Sequence, residues 1–338
     1  MRFEGRIDQA EGLRRLLVCN RTQVIAVTAG KSGVGCTSTI INLAAALARS
    51  GKDVLVLDEN HAPDNLADHL GLSARYDLLD AALGKCTLIE AVMLSRGFGV
   101  LPAARAMDAL AGLSQNDQRC LRNALTEVSN GVDILLVDAA MPASRCAEGL
   151  SGHAAALSNS TGAAMLLVVV DATVSGITGS YAMIKRLALE NARRQFGIVV
   201  NKAVDEVSAK TVFNNMATAA RRNLAVRLAY LGHVPQDDKL KHATRLGKAV
   251  VEVFPDSASA LACLALSEKL LRLPVSSDET ENGICAIFHG LTRQAPQRLS
   301  RENELSRRQS DVSSLRPNEL SRRQSDVSSL RPTALVAN

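Results

Sequence analysis

Residues Ala29-Gly30-Lys31-Ser32-Gly33-Val34-Gly35-Cys36-Thr37-Ser38 lie between an apolar run, Val24-Ile25-Ala26-Val27, and a helical stretch, Ile40 to Leu47. A strand that turns into a helix through closely spaced glycines points successive backbone N–H groups inward, which is the arrangement that cradles phosphate oxygens. The helix N-terminus adds a partial positive charge aimed at the same point. Thr37 stands where the hydroxyl of such a loop meets Mg²⁺, so Gly30 through Ser38 are expected to hold phosphates and Thr37 a metal. Position 36, where a lysine ordinarily reaches the β- and γ-phosphates, is a cysteine. A helix N-terminus is a reason for a lowered thiol pKa. A thiolate facing phosphate would repel it, so the neutral thiol is expected whenever a nucleotide is bound.

Alternation of short apolar runs with helical segments predicts an α/β fold: a mostly parallel, doubly wound sheet flanked by helices. Strands are expected at 23–28, 53–58, 133–138, 164–170, 197–201 and 228–232. Helices are expected at 37–50, 64–70, 76–83, 105–112, 115–129, 177–194, 206–223, 239–248 and 257–272. Nothing divides 21–273, so one nucleotide-binding domain is expected over 21–275, after an N-terminal helix within 1–20. From 276 to 338 the composition turns to Ser and Arg, and Asn303–Pro317 recurs unchanged as Asn318–Pro332. Such a repeat cannot bury enough apolar area to offset chain entropy and is expected to be disordered. Its Arg-Arg-Gln-Ser reads either as a kinase site or as part of an unstructured extension. Ile284 to Leu291 reads either as a short amphipathic anchor or as linker.

Composition excludes several classes. The seven cysteines (19, 36, 86, 120, 146, 263, 285) have neither CxxC nor metal-ligand spacing, which suits reduced thiols in the cytoplasm. The longest apolar run, Ala163 to Val170, is too short to span a bilayer, leaving only peripheral contact with the inner face of the membrane. Of the net charge of +5, nine arginines against five acids after residue 290 supply most, so the remainder is near neutral. With 3% aromatic residues and no Trp, there is no case for specific nucleic-acid binding.

Three further segments carry chemistry. Val54 to Asp58 ends a strand with a carboxylate at the sheet's C-terminal edge, beside the phosphate site by α/β logic. Asp133 to Asp138 is an apolar strand capped by an acid able to hold Mg²⁺ through water. Asn201, after Ile198-Val199-Val200, is either a ligand for a base edge or a turn-forming strand end. At the N-terminus, Asp8 with Glu11 forms a capping box ahead of Leu13, Leu16 and Leu17 on one helix face.

The loop resembles the deviant P-loop of the MinD/ParA group, KGGxGK[S/T]: it keeps Lys31, Gly33, Gly35 and Thr37 and departs at Ser32 and Cys36. The resemblance implies ATP and Mg²⁺ as ligands, with Thr37 and Asp138 on the metal and Asn201 on adenine. It implies that Lys31 reaches across an ATP-dependent homodimer, and it assigns hydrolysis to Lys31 and an Asp-x-Asp pair. That pair here is Asp58 and Asn60. The group's glycine four residues after the metal-binding Asp is here Pro142, which has no N–H to offer. Thr178-Gly179-Ser180-Tyr181 resembles a Thr-Asp-Ala-Tyr helix with its acid missing, and Leu231–Pro235 and Phe254–Ser259 resemble later segments of flagellar members. Asp8-Gln9-Ala10-Glu11-Gly12-Leu13-Arg14 resembles the DQAxxLR segment of FlhG/FleN flagellar-number regulators. In that family the segment stimulates the signal-recognition-type GTPase FlhF, which makes Asp8, Gln9, Ala10, Leu13 and Arg14 the expected partner-binding residues. The expectation is an ATP-binding regulator of flagellar number or placement with weak or absent hydrolysis. The alternatives are a DNA-partition or division-site ATPase and a nucleotide-free scaffold.

Overall fold

Strand β1 (Gln23–Ala29) is apolar along nearly its whole length because both of its faces are covered. The computed structural model describes residues 22–63, 65–109, 112–140, 165–190 and 193–273. The segment where an N-terminal helix is expected, Pro142 and everything after Leu273 lie outside these residues.

From β1 the chain passes through the glycine loop into α1 (Cys36–Arg49), then β2 (Val54–Asp58). Three short helices follow: α2 (Leu66–Leu70), α3 (Leu78–Ala82) and α4 (Leu88–Ala91). Next come strands β3 (Met93–Leu94) and β4 (Gly99–Pro102), helices α5 (Ala104–Ala109) and α6 (Gln115–Asn130), and β5 (Ile134–Asp138). The second half runs β6 (Met165–Asp171), α7 (Val174–Glu190), β7 (Gln195–Ala203), α8 (Glu206–Leu224) and β8 (Arg227–Pro235). It closes with α9 (Asp238–Arg245), α10 (Val250–Val253) and α11 (Ala258–Leu271).

The strands form one sheet in the order β3-β4-β2-β5-β1-β6-β7-β8, parallel except for the antiparallel β3–β4 pair. Successive residues of β1 feed opposite layers. Val24 and Ala26 join a core with Met183, Ile184, Leu121 and Leu125, whereas Ile25 and Val27 join one with Ile40, Leu47, Val250 and Leu266. Fully burying each of these larger side chains contributes about 1.5–3 kcal/mol. The chain winds from β1 toward β5 and β2 on one side and toward β6 on the other. That reversal opens a crevice at the C-terminal end of β1, where ligands of open α/β sheets bind.

The expected parallel α/β sheet and all six expected strands are present, with ends moved by a residue or two and up to three at β8. Two strands and two helices were missed. β3 and α4 are too short to establish a period, and β4 is bracketed by Gly99 and Pro102, which weaken any strand signal. A Cβ at Gly99 would lie 2.8 Å from Leu55 Cδ1 and 3.0 Å from Val92 Cγ1, so a larger residue there makes these side chains shift. The helix expected over 177–194 instead begins at Val174, where Thr173 Oγ1 accepts from Gly176 N at 3.1 Å. Residues 193 and 194 are not helical, because Arg194 O accepts from Arg227 N at 2.8 Å at the start of the β7–β8 pairing. The helix expected over 239–248 stops at Arg245, ended by Gly247 at φ 62°.

Candidate functional site

The glycine loop closes on itself through β7. Gly33 and Gly35 have φ of 78° and 90°, the left-handed region that glycine enters without strain. A Cβ on Gly35 would sit 2.4 Å from Asn201 Nδ2, so the position also requires the missing side chain. Asn201, buried at the end of β7, donates from Nδ2 to Val34 O at 2.7 Å and accepts from Lys202 N at 2.9 Å. Lys202, itself at φ 56°, donates from Nζ to Gly33 O at 2.6 Å. The loop is therefore held open from outside by two adjacent side chains. Neither role is visible in the sequence, in which Asn201 reads either as a ligand for a base edge or as a turn-forming strand end.

On the far side, Gly30 packs backbone to backbone against Gly179 of α7. This gives a physical reason for the glycine at 179, where the related helix has an acid: a Cβ there would lie 2.7 Å from Gly30 O. Lys31 leaves the loop and donates from Nζ to Ser175 Oγ at 2.7 Å, at the start of α7. No side chain caps the N-terminus of α1, whose N-cap is Gly35. Its first amides are left for a ligand.

A cleft of about 500 Å³ opens over the loop. Lys31 through Ser38 line it, together with Asn60 and Asp138 from the neighbouring strand ends. Gly30, Asp58 and Asn201 do not line it; they support it. Glu59, His61 and His69 do, and sequence reasoning gave them no role. The His61 ring lies 2.7 Å from Asp108 Oδ2 at the rim. Asp58 and Asp138 are register partners on β2 and β5, both buried. Asp58 accepts from Leu66 N at 2.6 Å and from Asn60 N at 3.0 Å. Asn60 Nδ2 reaches Asp58 Oδ1 and Asp138 O, each at 3.2 Å, so the amide ties the two strand ends together.

Burial raises the Asp138 carboxyl well above the usual range, and the Asp58 charge adds to this; bonds from Thr37, Asn60 and Cys36 oppose it. Burial likewise raises Asp58, against bonds from Leu66 and Asn60. Cys36 Sγ lies 3.9 Å from Asp138 Oδ1. Burial first, and then the Asp138 charge, hold its thiol well above the ordinary value. The lowering suggested by a helix N-terminus does not occur, and the thiol is neutral. Asp138 Oδ2 is buried without a hydrogen-bond partner among the described residues. An orphaned carboxylate oxygen beside a threonine hydroxyl fits a hard divalent cation. An uncapped helix end and an open turn at Gly33, where a Cβ would meet nothing within 4 Å, fit phosphate.

Such a loop, sheet order and carboxylate pair define a P-loop nucleotide-binding domain. Residues 25–250 match the CobQ/CobB/MinD/ParA nucleotide binding domain, and the chain belongs to that family. It is 33% identical over 257 residues to the antiactivator FleN of Pseudomonas aeruginosa, covering 76% of this chain and 89% of that protein. It is 30% identical over 246 residues to the septum site-determining protein MinD of Helicobacter pylori, covering 70% and 87%. Among solved structures it is similar to the MinC:MinD complex of Aquifex aeolicus, with a TM-score of 0.57, 22% identity and coverage of 75% and 98%. It is also similar to MinD with Mg-ADP from Pyrococcus horikoshii, with a TM-score of 0.54, 21% identity and coverage of 74% and 96%. Among the described residues no helix is long and apolar enough to cross a membrane.

Proposed function

We propose that this chain is a nucleotide-holding regulator of flagellar number or placement that acts on an FlhF-type GTPase and hydrolyses ATP slowly or not at all. The observation that carries the last part is the half-buried thiol at position 36, where phosphoryl transfer needs a cation. Asn60 supports it: an amide committed to Asp58 and Asp138 O neither accepts a proton nor offers a full charge. In this reading the loop amides and the α1 N-terminus hold the phosphates, while Thr37 and Asp138 hold Mg²⁺. A bound Mg²⁺ would supply the positive charge that the side chains lack. The Lys202 and Asn201 side chains keep the loop in shape for both.

A homodimer that forms with nucleotide is part of the same reading. Val174 and Val204 follow β6 and β7 on the cleft side of the sheet, each 83% exposed, with Val207 close by in sequence. Apolar side chains this exposed around a ligand cleft suit coverage by a second chain. The similarity to FleN, together with the Asp8–Arg14 segment, supports the GTPase as partner and peripheral contact with the membrane's inner face as location.

The test adds the full chain to the GTPase FlhF and follows GTP turnover. Stimulation is expected, and Gln9→Ala should remove most of it while leaving the unfolding midpoint unchanged. A wild-type chain that does not stimulate removes the partner assignment.

A further inference from the structure

Among the described residues, both ammonium groups at the phosphate loop, those of Lys31 and Lys202, are already hydrogen-bonded. Position 36 offers only a thiol turned toward Asp138 Oδ1. Lys31, which lines the cleft, is engaged on Ser175 Oγ at 2.7 Å, and Lys202 on Gly33 O at 2.6 Å. Glu59 and Asp138 also line the cleft, with His61 and His69, and Asp58 stands beside Asp138 one strand away. Among the described residues, a polyphosphate entering here meets amide donors and carboxyl groups, and the one lysine that lines the cleft, Lys31, is already bonded to Ser175 Oγ.

We propose that the cleft takes the magnesium complex of a nucleoside diphosphate at least as readily as that of the triphosphate. This rests on the reading of the cleft as a nucleotide site. The outermost phosphoryl group brings further negative charge toward buried carboxyl groups and not toward a cation, in surroundings that screen less than water. In loops of this type the lysine at position 36 serves the β- and γ-phosphates, so its absence removes the main reward for the third group. Loss of one charge-assisted bond lowers affinity roughly tenfold to a hundredfold. The amides and the helix N-terminus, which serve the inner phosphates, remain. A chain built this way has no strong preference by which to sense the triphosphate.

Calorimetric titration of the full chain with Mg-ADP and with a magnesium-bound, non-hydrolysable ATP analogue tests this. The diphosphate is expected to bind as tightly as the analogue or more tightly. Cys36→Lys should raise affinity for the analogue by roughly tenfold to a hundredfold, and for the diphosphate by less, reversing the order. A wild-type chain that binds the analogue more tightly overturns the inference and leaves the nucleotide site standing. A folded Cys36→Lys chain with an unchanged ratio overturns the assignment of the preference to position 36. Binding of neither ligand overturns the site itself and the inference with it. The wild-type comparison decides the matter even where the variant does not fold.

Discussion

Gly30→Ala is expected to lower the guanidinium midpoint and the soluble yield sharply. A Cβ at this position would lie 2.2 Å from both the carbonyl carbon of Gly179 and the amide nitrogen of Ser180. These are backbone atoms of α7, and no rotamer change relieves the clash. Helix α7 is fixed on the sheet by buried Met183, Ile184 and Leu187, so it cannot lift at one end without opening the core. The cost belongs to the upper range for overpacking, about 3–5 kcal/mol, against a total stability of about 5–15 kcal/mol for most domains. Soluble yield and the guanidinium midpoint report it. Gly33→Ala is the contrasting case: nothing lies within 4 Å of its Cβ, and only the φ of 78° penalises it, by about 1–2 kcal/mol. Equal midpoints for the two variants would contradict the packing argument.

Asn201→Ala should cost both stability and ligand. The substitution removes the bonds to Val34 O and from Lys202 N and leaves a buried carbonyl unpaired, at about 2–3 kcal/mol. It also frees the segment from Val34 to Gly35 that leads into α1, so the loop amides are no longer held in place for a ligand. Affinity for Mg-ADP is expected to fall about tenfold, the equivalent of roughly 1.4 kcal/mol of lost preorganisation. Lys202→Met should do less, because the Lys202 ammonium is solvated and its bond to Gly33 O is an exposed one. Thermal unfolding and calorimetry on the same samples separate the two effects. A destabilised Asn201→Ala chain with undiminished affinity would make the clamp a scaffold with no bearing on the ligand.

The parts of this molecule that were legible in its sequence are those with a local cause. Continuous apolar runs announced the buried strands, and glycines between one run and a helix announced the loop. Asp138, capping such a run, stood where the sheet delivers it beside Cys36. What stayed hidden depends on residues far apart in the chain. Lys202 meets Gly33 across 169 positions, and Asn42 Oδ1 accepts from Val250 N at 2.6 Å across 208. Neither contact leaves a periodic trace. The glycine at 179 looked like a lost acid and proved to be half of a backbone contact whose other half is Gly30. The shortest elements failed for a different reason: one turn of helix at α10 or two residues of strand at β3 are fixed by their neighbours, not by their own pattern.

The cysteine at position 36 shows why substitution in a motif differs from loss of the site. It fills its place as a small neutral group, and the backbone that surrounds it keeps the turn, the uncapped helix end and the orphaned Asp138 oxygen. Binding and hydrolysis are thereby separable. In the proposed reading, the amides that would grip a phosphate remain in place while the charge that would drive its transfer is gone.

The central claim is that main-chain amides and a divalent cation hold a nucleotide here without help from a lysine at position 36. A crystal of the chain soaked with ADP and Mg²⁺ tests it most directly. The account predicts the β-phosphate against the amides of Gly33 to Thr37, with the metal beside Thr37 and Asp138. Side chains of Cys36 and Asp138 closed over an empty loop, at saturating nucleotide, would contradict it.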